Sequence, residues 1–157
     1  MNDRQIRILT TAGVLSAAIF LLTAFVRIPL PAGYLNLGDA GVFLVAMLLP
    51  AGIAALCAGV GSALADLIGF PLYAPVTFFV KGLTALAFSL AWRKLPGKLR
   101  YLAFLAILIV PLGYFLFELV VFKNYAWADL PMNLLQAAVG AGLAWALDRV
   151  SGSAFRI

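Results

Sequence analysis

From Leu37 to Ile68 the chain runs for 32 residues with two charges, Asp39 and Asp66. A bilayer core about 30 Å thick is crossed by about 20 apolar residues in a helix, so this run is too long for one ordinary span. Its one break is "LLPAG", Leu48–Gly52. Pro50 removes a helix donor and Gly52 favours a turn. The run therefore reads as two helices, 38–51 and 52–68, or as one long bent helix. Four more apolar segments, 8–26, 75–92, 101–122 and 129–147, are each long enough to cross. The chain is 65% hydrophobic and 11% charged, with a mean hydropathy of +1.09. Soluble domains hold about 45–50% apolar and about 25% charged residues. The composition is that of an integral membrane protein.

Basic residues choose between one helix and two. Arg4 and Arg7 precede the first span, and "RKLPGKLR" (93–100) supplies Arg93, Lys94, Lys98 and Arg100. Such clusters mark cytoplasmic segments. Two cytoplasmic segments are separated by an even number of spans, which requires the split at Pro50. The expectation is an all-α integral membrane protein, residues 1–157 forming one compact bundle of six transmembrane helices. Both termini are cytoplasmic, with Arg149 and Arg156 on the same side. The first segment resembles a signal peptide, but 19 apolar residues exceed an h-region and no small-residue cleavage site follows. The net charge of +5 then reflects topology, not nucleic-acid binding. With one cysteine, Cys57, and no histidine, a transition-metal site is not expected.

On this topology the acids gather. Asp39, Asp66, Glu118 and Asp129 fall in the outer half, on four different helices. Lys81 lies on a fifth, about 9 Å in from its outer end at about 1.5 Å per residue. Charges in hydrocarbon are costly and mark functional sites or structural pairs. Asp129, Asn133 and Gln136 are spaced i, i+4, i+7 and share a helix face. Tyr34, Tyr73, Phe78, Tyr114, Tyr125 and Trp127 lie at the same level, as an interfacial belt or as part of a site. Plainer roles stand beside the functional ones. Asp39 and Asp129 fit helix starts, Asp66 and Lys81 fit an ion pair, and Glu118 fits a rim pair with Lys123. A proline in the fifth span, Pro111, predicts a kink. Small residues repeat at four-residue spacing in Ala12–Ser16 and Gly13–Ala17, a pattern that lets helices approach closely, either inside the bundle or at a partner.

Three stretches, "NLGDAGVFLVAMLLPAG" (36–52), "GVGSALADLIGFPLYAPVTFFVKGL" (59–83) and "MNLLQAAVGAGLA" (132–144), resemble the S components of energy-coupling factor (ECF) transporters, in the riboflavin-type or hydroxymethylpyrimidine-type branch. The most specific parts are Gly38-Asp39, Ala65-Asp66, Tyr73-Ala74-Pro75-x-Thr77 and Lys81-Gly82. The resemblance implies a multi-pass protein of a prokaryotic plasma membrane that binds a vitamin or precursor near its outer face. It implies docking on a transmembrane T subunit and two ATPases, followed by tumbling in the membrane to release substrate inside. ATP is used by those partners. This chain has no phosphate-binding loop and is expected to hold no cofactor and to catalyse no reaction. The candidate substrate-binding set is Tyr34, Asn36, Asp39, Asp66, Tyr73, Thr77, Lys81, Glu118, Asn133 and Gln136. The candidate T-subunit face is Ala12, Gly13, Ser16 and Ala17, in place of the family's Ala-x-x-x-Ala. Rival classes are a stand-alone proton-coupled carrier or channel, and a membrane-embedded enzyme. Against the enzyme, Mg²⁺-dependent lipid chemistry wants clustered acids, and these lie singly on separate helices.

Overall fold

The computed structural model describes residues 2–30 and 33–151. Helix α1, Asp3–Ala24, opens on a capping box. The Gln5 N–H donates to Asn2 Oδ1 at 2.9 Å and the Asn2 N–H donates to Gln5 Oε1 at 3.0 Å, satisfying two donors that a helix start leaves orphaned. The chain then forms an antiparallel pair, β1 (Arg27–Leu30) and β2 (Gly33–Asn36), with Arg27 opposite Asn36. In sequence this stretch falls in the outer loop between the spans 8–26 and 38–51, with Pro29 and Pro31 in it. A two-stranded ribbon consists of edges, and Pro29 sits where an edge tolerates it.

Helices α2 (Gly38–Leu48) and α3 (Ala51–Gly69) are separate, divided at Leu49 and Pro50. Helix α2 has 11 residues, nine of them buried. At about 1.5 Å per residue it is short for a bilayer core of about 30 Å. Helix α4 spans Ala74–Lys94 with Pro75 in its first turn, where a missing N–H breaks no helical bond. Residues Gly97–Leu108 wind as a 3-10 helix that passes into α5, Ile109–Val121. In place of a mid-span kink at Pro111, the winding changes two residues before it, and Pro111 falls in the first turn of α5.

Helix α6 runs from Tyr125 to Ser151, so it begins earlier than residue 129 and holds Pro131 in its interior. The turn before it contains Lys123 at φ 53. Asp129 therefore does not open the helix. Nor does Asp39 cap α2, whose N-cap is Leu37 with no side-chain bond. Among the described residues five helical segments are long and apolar enough to cross a membrane: 3–24, 51–69, 74–94, 97–121 and 125–150. The short α2 joins them as a shorter apolar helix.

Two contacts fix the helices that carry the site. Gly61 of α3 lies so close to α1 that a Cβ there would stand 2.5 Å from the Ser16 carbonyl oxygen. Gly140 of α6 lies against Asp39 of α2, and a Cβ would stand 3.1 Å from the Ala40 nitrogen. At the end where α2 and α4 finish, the core is aromatic. Phe43 meets Phe88 at 5.1 Å and Phe88 meets Phe104 at 5.0 Å between ring centres. Arg93 donates to the Leu49 carbonyl at 2.8 Å, covering an acceptor just past the α2 terminus. At the same end Arg100 stacks over Trp92 at 4.6 Å and pairs with Asp148 at 3.5 Å.

Candidate functional site

At the opposite end, where α3 finishes and α4 begins, helical spacing sets polar side chains one turn apart. Ser62 and Asp66 lie on α3, Thr77 and Lys81 on α4, and Tyr114 and Glu118 on α5. Asp129, Asn133 and Gln136 lie on α6. Residues at i and i+4 share a face, and in each helix that face lines one cavity of about 330 Å³. This is within the usual range of about 300–1,000 Å³ for small-molecule sites.

One wall is a closed network. Lys81 is 5% exposed and forms an ion pair with Asp39, itself 1% exposed. Gln136 donates to the other Asp39 oxygen at 3.4 Å and accepts from Asn36 Nδ2 at 3.1 Å. Asn36 Oδ1 in turn accepts the Gly38 N–H at 2.9 Å. An ammonium this deep is tolerable only when paired. The carboxylate that meets Lys81 thus comes from α2, 42 positions away in sequence. Lys81 also stands 5.4 Å from the Tyr114 ring centre.

The other wall is richer in carboxyls. Thr77 donates to Asp66, and its hydroxyl lies 2.9 Å from that of Tyr114. A hydroxyl has one proton; with Thr77 committed to Asp66, Tyr114 is the donor to Thr77. Tyr73 donates to Glu118 Oε1 at 3.1 Å, and Asn133 donates to Asp129 Oδ2 at 2.8 Å. Burial, and then the neighbouring Glu118, raise the Tyr73 phenol above its ordinary value, so it stays a donor. Glu118 is fully buried and interacts with Asp129. It faces Tyr73 and Asp129, not the rim residue Lys123.

Nine of the ten sequence candidates line this cavity: Asn36, Asp39, Asp66, Tyr73, Thr77, Lys81, Glu118, Asn133 and Gln136. Tyr34 pairs with Pro29 in the hairpin, and its side chain lies outside the described residues. The cavity also takes in Ser62, Tyr114, Asp129, Met132 and Thr23, which the candidate set lacks. The i, i+4 test that groups Asp129 with Asn133 would have found Ser62 from Asp66 and Tyr114 from Glu118. Met132, four positions before Gln136, shares that face but is apolar, and Thr23 carries no such signal. Among the described residues no group of three or more His, Cys, Asp or Glu is arranged to hold a metal ion.

The profile of the family described as "ECF-type riboflavin transporter, S component" matches residues 3–149. The chain belongs to that S-component family. A solved structure, "Structure and mechanism of the S component of a bacterial ECF transporter", superposes with a TM-score of 0.71. It is 20% identical, and the match covers 98% of this chain and 99% of that one, a likeness of fold. An uncharacterised protein of Pyrococcus woesei is 49% identical over 67 residues. That match covers 41% of this chain and 45% of the relative. As an ECF S component the chain is a multi-pass plasma-membrane protein, of a family whose members are the substrate-binding subunits of ECF transporters. S components of this family work with T and ATPase subunits.

The small-residue face of this S component divides in two. Ala12 is 8% exposed, and its carbonyl lies 3.4 Å from the Cys57 sulfur. Ser16 is half-buried and donates to the Cys57 carbonyl at 3.2 Å. These two hold α1 to α3. Gly13 and Ala17 are exposed, and nothing lies within 4 Å of a Cβ placed on Gly13. With Phe20, Leu64, Leu67 and Ile68 they border a shallow apolar groove between α1 and α3.

Proposed function

We propose that the cavity captures a small planar vitamin or precursor, riboflavin-like or hydroxymethylpyrimidine-like, from outside the cell for ATP-driven uptake. The observation that carries this reading is the cavity: a partly open space with many polar groups in its lining, drawn from six helices, at one end of an otherwise apolar bundle. In this reading six helices cross the membrane, α2 being the short one, and both termini are cytoplasmic. The cavity end then faces outward. The hairpin and the turn at 70–73 cover the ligand, Tyr34 and Tyr73 stack on it, and Asp39, Asp66, Lys81, Asn133 and Gln136 orient it. Gly13 and Ala17 meet the T subunit, since Ala12 and Ser16 are occupied with α3. ATP is hydrolysed by partner ATPases.

Reconstitution tests this. The purified chain in liposomes is expected to bind ligand without accumulating it, and to accumulate it when a T subunit, two ATPases and ATP are added. Accumulation by the chain alone, driven by a proton gradient, would overturn the reading. It would favour a carrier built on Glu118, whose burial inside the bundle is the observation on that side.

A further inference from the structure

If the cavity is the capture site, its two walls ask different things of the ligand. On the Asp39–Lys81 wall one ammonium meets one carboxylate, and the amides of Gln136 and Asn36 bond to each other and onward. The two charges there cancel, and what is left over is donor capacity, the further N–H groups of Lys81 and Gln136. On the opposite wall, formed by Tyr73, the first turn of α4 and helices α3, α5 and α6, three of the donors are engaged by the protein's own carboxyls. The Tyr73 hydroxyl is committed to Glu118, the Asn133 amide to Asp129, and the Thr77 hydroxyl to Asp66.

What remains on that wall is one carboxylate oxygen and one hydroxyl. No amide or hydroxyl donor reaches Glu118 Oε2, and the Ser62 hydroxyl, able to donate or accept, has no partner; both are buried and line the cavity, their residues 0% and 1% exposed. Beside Glu118 stands a second carboxyl, Asp129. Among the described residues lining the cavity, the single cation is Lys81, and it is engaged with Asp39. An unsatisfied buried acceptor costs about 1–3 kcal/mol, more when charged. A ligand that supplies the missing donor recovers that cost. A ligand carboxylate or phosphate placed there adds repulsion instead.

We infer that this wall selects an amino-substituted nitrogen heterocycle, seated with its N–H edge or cationic ring on Glu118 and its neighbour Asp129, with Ser62 as a second polar contact. A ring amine beside a protonated ring nitrogen offers two parallel donors. That matches the two oxygens of a carboxylate, and such charge-assisted pairs are among the strong ones. Tyr73 and Tyr114 flank the same space and supply aromatic surface for a planar ring.

The test uses the full chain in detergent and two matched probe pairs that differ by amino against oxo: thiamine with oxythiamine, and 4-amino-5-hydroxymethyl-2-methylpyrimidine with its 4-hydroxy counterpart. Riboflavin is the fifth probe. Calorimetry reads affinity, and size-exclusion and melting profiles confirm folding. In at least one pair the amino member is expected to bind about tenfold or more tightly than its partner, the scale of one charge-assisted hydrogen bond. Glu118→Gln is expected to erase that preference. Ser62→Ala, a smaller change, is expected to weaken the amino ligand about threefold, consistent with one neutral hydrogen bond. Equal binding within both pairs, or an amino preference that survives in folded Glu118→Gln, overturns the inference. Riboflavin binding with neither pair bound overturns it while leaving vitamin capture standing. Binding of none of the five overturns it and counts against capture as well.

Discussion

The two ends of the bundle are built from the same apolar helices by opposite rules. At one end Phe43, Phe88, Phe104 and Trp92 interlock, with ring centres 5.0–6.0 Å apart. At the other end polar side chains from α2 to α6 surround an open space of about 330 Å³. Close packing brings dispersion contacts and no polar bookkeeping. A cavity forfeits those contacts and obliges each buried polar atom to find a partner. The packed end holds the helices together so that the cavity end can stay open.

The sharpest way to break this comparison is Phe88→Ala. Phe88 is fully buried and touches three aromatic neighbours. Truncating a buried Phe costs about 3–5 kcal/mol. We expect a large fall in melting temperature in detergent, with ligand affinity of the remaining folded protein unchanged. Loss of affinity without loss of stability would mean that the two ends are not separate in role.

Lys81→Met probes the cavity end at a similar scale. It leaves Asp39 buried without its cation, and breaking a buried pair costs about 3–5 kcal/mol. The double variant Lys81→Met with Asp39→Asn removes the stranded charge and is expected to recover much of the melting temperature. If the double variant is no better than the single one, the pair is not what stabilises that wall. Asp66→Asn alters a half-buried carboxyl held by Thr77. It is expected to weaken ligand binding with a smaller stability effect.

The difference between the two ends also governs what the sequence discloses. Apolar length, basic clusters and Pro50 suffice to separate α2 from α3, because each acts locally. The depth shared by Asp39, Asp66, Lys81 and Glu118 suffices to gather them, since helical rise converts residue number into depth. Which acid meets which base does not follow. Asp66 is nearer to Lys81 in sequence, yet Asp39 is the partner, because α2 packs between α4 and α6 and that arrangement is set by tertiary packing, not by sequence distance. The hairpin is equally hidden, since its pairing depends on two short strands that carry no long apolar pattern. The 3-10 winding of 97–108 has no signature in its residues either.

Arg93 offers a more modest test at the packed end. Its guanidinium bonds the carbonyls of Leu49 at 2.8 Å and Met47 at 3.5 Å, and its Nε donates to Ser89 at 3.3 Å. Charge-assisted bonds of this kind are worth about 1.5–3 kcal/mol. Arg93→Ala is expected to lower stability by about 1–2 kcal/mol, with Arg93→Lys restoring only part, because an ammonium lacks the fork that reaches several acceptors. Full rescue by Lys would show that charge near the end of α2, and not the hydrogen-bond geometry, is what matters.

The smallest effect on stability is expected on a face that belongs to neither end. Gly13 and Ala17 point away from the core, and a Cβ at Gly13 meets nothing within 4 Å. Ala12 and Ser16, one position away on the same helix, are tied to Cys57. Gly13→Leu with Ala17→Leu should leave the stability within about 0.5 kcal/mol of wild type, as for surface substitutions away from special features. Ligand affinity should also be unchanged. Bulk at this face blocks the close helix approach that small residues permit, so co-purification with the T subunit should fall sharply. The matched change Ala12→Leu should do the reverse and lower stability first, by wedging α1 off α3. If the outward pair tolerates leucine with full assembly on the T subunit, docking uses another face, and the small residues of α1 serve packing alone.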